Sequence, residues 1–137
     1  MIDTSVVVSS LRSLTGASNA LLHMVAARRI APLVTIALFL EYEEILKRPE
    51  QRLAHGLGIQ EVDKFLAGFA SACQPVDINF SWRPQLSDAD DELVLDAAIN
   101  GRAEAIITHN LRDFRGVEKT FGMRVLLPRE FLQETRS

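Results

Sequence analysis

The stretch SDADDELVLDAAI, residues 87 to 99, places three aspartates and a glutamate within five positions and then turns apolar. Carboxylates at a helix start either complement its positive end in solvent or bind a cation. A helical wheel separates the two uses. With Asp91 at zero and 100° per residue, Val94, Leu95, Ala98 and Ile99 fall at roughly 300°, 40°, 340° and 80°. That apolar stripe is centred near Asp91, so Asp91 is expected to point inward. Glu92, Asp96 and Asn100 fall at roughly 100°, 140° and 180° and are expected to face outward. Asp88, with an acid three residues later, has capping-box form and is assigned to the helix start. Asp90 flanks the stripe, as a neighbour of the site or as a solvated charge.

The same wheel on ALFLEYEEILK sets Leu38 and Ile45 at roughly 60° and 40° from Glu41, with Glu43 near 200° and Glu44 near 300°. Glu41 is the inward-leaning acid there, as a ligand or in an ion pair, and Glu44 is its alternate. Two further acids flank strand-like runs. Asp3 precedes the β-branched Val6 to Val8, and Asp113 follows AIITHN by a few residues. Asp113 could equally make a local turn, and Asp3 could be a frayed end. Together the four predict carboxylates from four segments on one rim, which is costly unless a cation neutralises them. Oxygen-only ligands select a hard ion such as Mg²⁺ or Mn²⁺, and carboxylates around such ions serve phosphodiester hydrolysis.

The elements that must position these residues follow from apolar spacing. Val6 to Val8 suit a short first strand. Leu21, Leu22, Val25 and Ala26 share a helical face, and APLVTI is a second strand after Pro32. A helix through Leu38, Tyr42, Ile45 and Leu46 is expected to stop at Pro49. HGLGI is a turn, and Val62, Phe65, Leu66 and Phe69 mark a third helix. QPVDINF reads as a short strand, the acidic helix runs to about Asn100 with Gly101 as its cap, and AEAIITHN is a buried strand. LRDFRGVEKTFG is a loop or short helix, and MRVLLP is a last strand before REFLQETRS. Strands alternating with helices imply an α/β chain on a mainly parallel sheet, in one domain over residues 1–137.

Composition narrows the function classes. Hydrophobic residues make up 47% and charged ones 24% of the 137 residues, which is globular rather than disordered. A net charge of −3 gives no general phosphate affinity, so nucleic-acid binding must be local. One cysteine, Cys73, excludes an internal disulfide and reads as a small buried hydrophobe, which fits a reducing cytoplasm. MIDTSVVVSS lacks the basic start of a signal peptide, and the run from Ala31 to Leu40 is shorter than the roughly 20 residues that span a bilayer.

MIDTSVVV, LEYEEILKRP, SDADDELVLDAAINGRAEAIITHNLRDF and MRVLLPREFL resemble, in order along nearly the whole chain, a PIN domain. The resemblance is closest to the VapC-like toxin components of type II toxin-antitoxin systems. It implies a three-layer α/β/α sandwich with a central, mainly parallel sheet, and a Mg²⁺- or Mn²⁺-dependent endoribonuclease. By position it puts the family's acids on Asp3, Glu41, Asp91 and Asp113, and polar residues near the site on Thr4, Ser5, Thr108 and Asn110. A cognate antitoxin protein and a homodimer are also implied.

Arg112 and Arg115, flanking Asp113, could hold RNA phosphates. His23, His55 and His109 show no metal spacing, and His109 is expected to be structural. Trp82 is assigned to packing. A rival from another class is a catalytically weak or inactive PIN-type module that acts by binding protein or RNA. A small phosphatase is more distant, because no DxDx[TV]-type nucleophile motif is present.

Overall fold

The chain enters its fold through a single parallel bridge rather than a full strand. Ile2 pairs with Ile107, Asp3 N donates to Ile107 O at 2.9 Å, and Ile107 N donates to Met1 O at 2.8 Å. In this computed structural model the described residues are 1–79, 86 and 89–136, with the side chains of 89, 90 and 136 left out. The assignments made to Trp82, Asp88 and the Asp90 side chain fall outside the described residues.

Directly after the bridge, helix α1 (Thr4–Arg12) takes up Val6 to Val8, where a strand was expected. Val6 and Val7 are fully buried. β-Branched residues cost a helix only about 0.5 kcal/mol each. Burying one such side chain returns about 2 kcal/mol, so packing against α2 (Ala17–Ala26) and α3 (Ile36–Leu46) overrides local preference. Between those helices lies the short strand β1 (Leu33–Val34). Thr35 then caps α3, its Oγ1 accepting from Leu38 N at 3.0 Å.

Helix α3 ends at Leu46, before Pro49, and the proline has a second use. It opens α4 (Pro49–His55) at a first-turn position where its missing N–H costs nothing. Gly56 closes α4 in the left-handed region at φ 75°. Then comes α5 (Ile59–Ala72), whose start is held by Glu61 Oε1 accepting from Gly58 N at 3.1 Å. Strand β2 (Gln74–Pro75) follows. At the junction sits Cys73, half-buried, and burial pushes its thiol up to about 12.

The second half of the chain carries α6 (Ala89–Gly101), β3 (Ala105–Ile107), a 3₁₀ turn (Leu111–Phe114), α7 (Val117–Phe121), β4 (Arg124–Leu126) and α8 (Pro128–Arg136). Every described strand pairing is parallel. Leu33 stands opposite Gln74, and Ala105 to Ile107 stand opposite Arg124 to Leu126. The chain is therefore α/β with parallel strands, as expected. Among the described residues these make two two-stranded pieces rather than one continuous sheet, and helices dominate. Helix α6 packs on β1, β3 and α3. Its Val94 and Leu95 join Leu38, Tyr42, Leu66 and Ile106 in the core. Tyr42 meets Phe69 edge-on at 5.7 Å and donates its hydroxyl to Ile2 O, which ties α3 to the bridge that carries Asp3.

Two expectations for α6 need correction. Glu92 and Asp96, expected on an outward face, are both 4% exposed. Leu86 N donates to Glu92 Oε1 at 2.5 Å and Asn79 N donates to Asn100 Oδ1 at 2.7 Å. The side chains of Glu92 and Asn100 thus supply acceptors to backbone N–H groups outside the helix. Gly101, assigned as the helix cap, is instead the last helical residue. Arg102 takes the left-handed conformation at φ 54°. Gly101 is required by packing, since a Cβ there would lie 2.5 Å from Leu33 Cδ1 and 2.9 Å from Val76 Cγ2.

Candidate functional site

Asp3 stands where the opening bridge becomes α1, at the N-cap position, and is 5% exposed. Its carboxylate makes no capping bond to the α1 backbone and is held by two hydroxyls, one from α1 and one from across the chain. Oδ2 accepts from Ser5 Oγ and from Thr108 Oγ1, each at 2.7 Å. Thr108 is fully buried just after β3, where its N–H donates to Leu126 O at 2.9 Å. Proton counting fixes the polarity of this group. The Ser5 hydroxyl accepts from His109 N at 3.2 Å and that of Thr108 accepts from Asn110 N at 2.9 Å. Each hydroxyl has one proton, and each directs it to Asp3. The two hydroxyl oxygens stand 3.5 Å apart, and each directs its proton to Asp3 Oδ2.

Glu41 comes from the buried face of α3, between Leu38 and Tyr42, and is 7% exposed. Its Oε2 accepts from Thr4 Oγ1 at 3.0 Å. Asp91 lies in the first turns of α6 at 9% exposure, and Asp113 is exposed on the 3₁₀ turn. All four line one cleft of about 500 Å³, together with Thr4, Ser5 and Asn110. The four acids singled out from sequence are thus brought to one place from four segments. Thr108 is beneath them, touching Asp3. Glu44 is not brought there: it is exposed and forms an i,i+4 ion pair with Arg48 at 3.2 Å. Arg112 and Arg115 are exposed on either side of Asp113, outside the cleft lining.

The sequence reading passed over Arg12 in the cleft and gave His109, also in its lining, a structural role. Arg12, at the end of α1, lines the cleft with Val8 and Ile45. Its signal was the four-residue spacing Thr4, Val8, Arg12, hidden once Val6 to Val8 were read as a strand. His109 also lines the cleft, with its Nε2 2.6 Å from the Oγ of the buried Ser18. Burial holds the His109 imidazole below its ordinary value, and the attraction of Asp3 opposes that only in part.

The donor set of the cleft, carboxylates and hydroxyls, suits a hard divalent ion. Among the described residues no three acidic, histidine or cysteine side chains are gathered closely enough to form a coordination sphere as they stand. The chemistry of the donors fits such an ion. A larger cavity of about 610 Å³ is lined by residues of β1, β3 and β4. Size does not make it the site. Arg124 and Glu134 in its wall are paired with each other, and it holds no comparable array of acids.

Neither characterised proteins nor solved structures yield a match to this chain. Comparison with protein families matches residues 1–112 to the PIN domain. That span contains Asp3, Glu41 and Asp91 and ends one residue before Asp113. PIN domains are generally metal-dependent nucleases. With the match running through most of the chain, from the opening bridge to the 3₁₀ turn, this protein belongs to the PIN domain family.

Proposed function

We propose that this chain is a Mg²⁺- or Mn²⁺-dependent endoribonuclease, the VapC-like toxin of a toxin-antitoxin pair. The observation that carries the reading is the convergence of Asp3, Glu41 and Asp91, all nearly buried, with Asp113 on one cleft. Buried carboxylates in such number are costly without a cation. Asp3, Glu41, Asp91 and Asp113 would hold the ion, which when bound lowers the pKa of an attacking water and stabilises the leaving oxygen. Ser5 and Thr108 aim the Asp3 carboxylate by hydrogen bonds, and Thr4 does the same for Glu41. Asn110 borders the cleft beside them. Arg112 and Arg115, exposed around Asp113, serve as outer contacts for RNA phosphates.

The reading includes a three-layer α/β/α arrangement, a homodimer, a cognate antitoxin that covers the acidic cleft, and action in the cytoplasm. No described helix is long and apolar enough to cross a membrane. The open spacing of the acids favours one second reading, a PIN-type module with weak or lost catalysis that acts by binding protein or RNA.

Incubation of the purified protein with RNA, with and without Mn²⁺, tests the first reading. Cleavage that needs Mn²⁺ and is abolished by Asp91→Asn is expected. Equal cleavage by Asp91→Asn and wild type would remove the assigned site, and absence of cleavage by wild type would leave the binding module.

A further inference from the structure

Thr4, Val8 and Arg12 recur every fourth residue on α1, so one helix face brings all three to the cleft wall. Eight residues of helix span roughly 12 Å. Arg12 therefore stands beside the carboxylates rather than among them. Its Nε donates to Gln51 Oε1 at 3.1 Å, a bond from α1 to α4 that fixes the plane of the guanidinium.

A cation on the wall of an acidic cleft has two uses. It can neutralise the acids, in which case its nitrogens meet a carboxylate. It can also receive an anion from outside. Arg12 bonds to a neutral amide, and its side chain is exposed at the cleft mouth. Orientation by an uncharged partner leaves the full positive charge for a ligand, and the planar fork suits a phosphate. In a net-acidic protein, phosphate affinity has to come from such local cations.

We propose that Arg12, oriented by Gln51, binds the backbone phosphate of an RNA strand next to the one that is cleaved, and so sets the line along which the strand crosses the cleft. This rests on the ribonuclease reading and adds a substrate contact to it. The contact supplies binding and register, and the carboxylates act on the neighbouring phosphate.

The test is anisotropy of a fluorescein-labelled oligouridine over a KCl series, with Ca²⁺ in place of Mn²⁺ to hold turnover, alongside steady-state cleavage in Mn²⁺. Arg12→Ala is expected to weaken binding about five- to tenfold. It should also lower the slope of log affinity against log salt by about 0.7, the value of one phosphate contact on a single strand. KM rises and kcat is kept within about twofold. Arg12→Lys keeps the slope, and Gln51→Ala keeps the slope with a smaller loss of affinity. A merely structural bond between α1 and α4 would move thermal stability and leave the slope alone. If wild type cleaves and Arg12→Ala matches it in slope and KM, this inference alone is overturned. If wild type neither binds nor cleaves, it falls together with the ribonuclease reading.

Discussion

Thr108 Oγ1 donates to Asp3 Oδ2 at 2.7 Å, joining residues 105 positions apart. The bond is possible because Ile2 and Ile107 form a parallel bridge, which sets the two following segments side by side. The residue after the bridge on one segment is the acid. On the other it is a buried hydroxyl that also accepts from Asn110 N. The same short pairing therefore builds the fold and aims the carboxylate.

Thr108→Val keeps the shape and removes the hydroxyl. Asp3 loses one of two donors, and Asn110 N loses its acceptor. Stability should fall by about 1–3 kcal/mol in urea unfolding, and metal-dependent cleavage should fall more than tenfold, on the order of one lost orienting contact. Thr108→Ser should recover most of both. A fully active Thr108→Val would mean that Asp3 needs no support from this side.

Gly101 and Arg102 should respond in opposite directions. Gly101→Ala forces a methyl against Leu33 and Val76 and should cost about 1–3 kcal/mol. Arg102→Gly relieves a left-handed residue at φ 54° and should gain up to about 1 kcal/mol. Thermal melts of the two variants read this directly. The reverse order would place the left-handed cap at Gly101 after all.

His109 should tie stability to pH through burial. Its folded value lies below the ordinary 6.5, so the unfolded chain takes up the proton first as pH falls. The contribution is complete above about 6.5 and is lost as pH drops through the lower folded value. An imidazole NMR titration should give a His109 midpoint under 6.5. His109→Gln should make the urea midpoint less steep with pH over that window. An unchanged slope, or a midpoint at or above the ordinary value, contradicts the burial argument.

Part of the positioning was legible because wheels on α3 and α6 put Glu41 and Asp91 with the apolar residues, and both are nearly buried. Local patterns failed where packing decided. Val6 to Val8 have strand preference and sit in a helix because the core takes two of them. Helix α4 has seven residues and buries none, so it leaves no periodic signal, and with it went Gln51. The wheel ranked Glu92 and Asp96 as outward because it sees one helix and not its surroundings, such as Leu86 N donating to Glu92. The hydroxyl support of Asp3 depends on pairing across the whole chain, which no local window contains.

The central claim is that Asp3, Glu41, Asp91 and Asp113 hold one divalent-ion site. Calorimetric titration of Mn²⁺ into wild type and Asp91→Asn tests it most directly, with circular dichroism to show that both are folded. Saturable binding to wild type, weakened at least about tenfold by Asp91→Asn, is the predicted result. Equal binding by the two proteins, or no binding to wild type at millimolar Mn²⁺, would contradict the account.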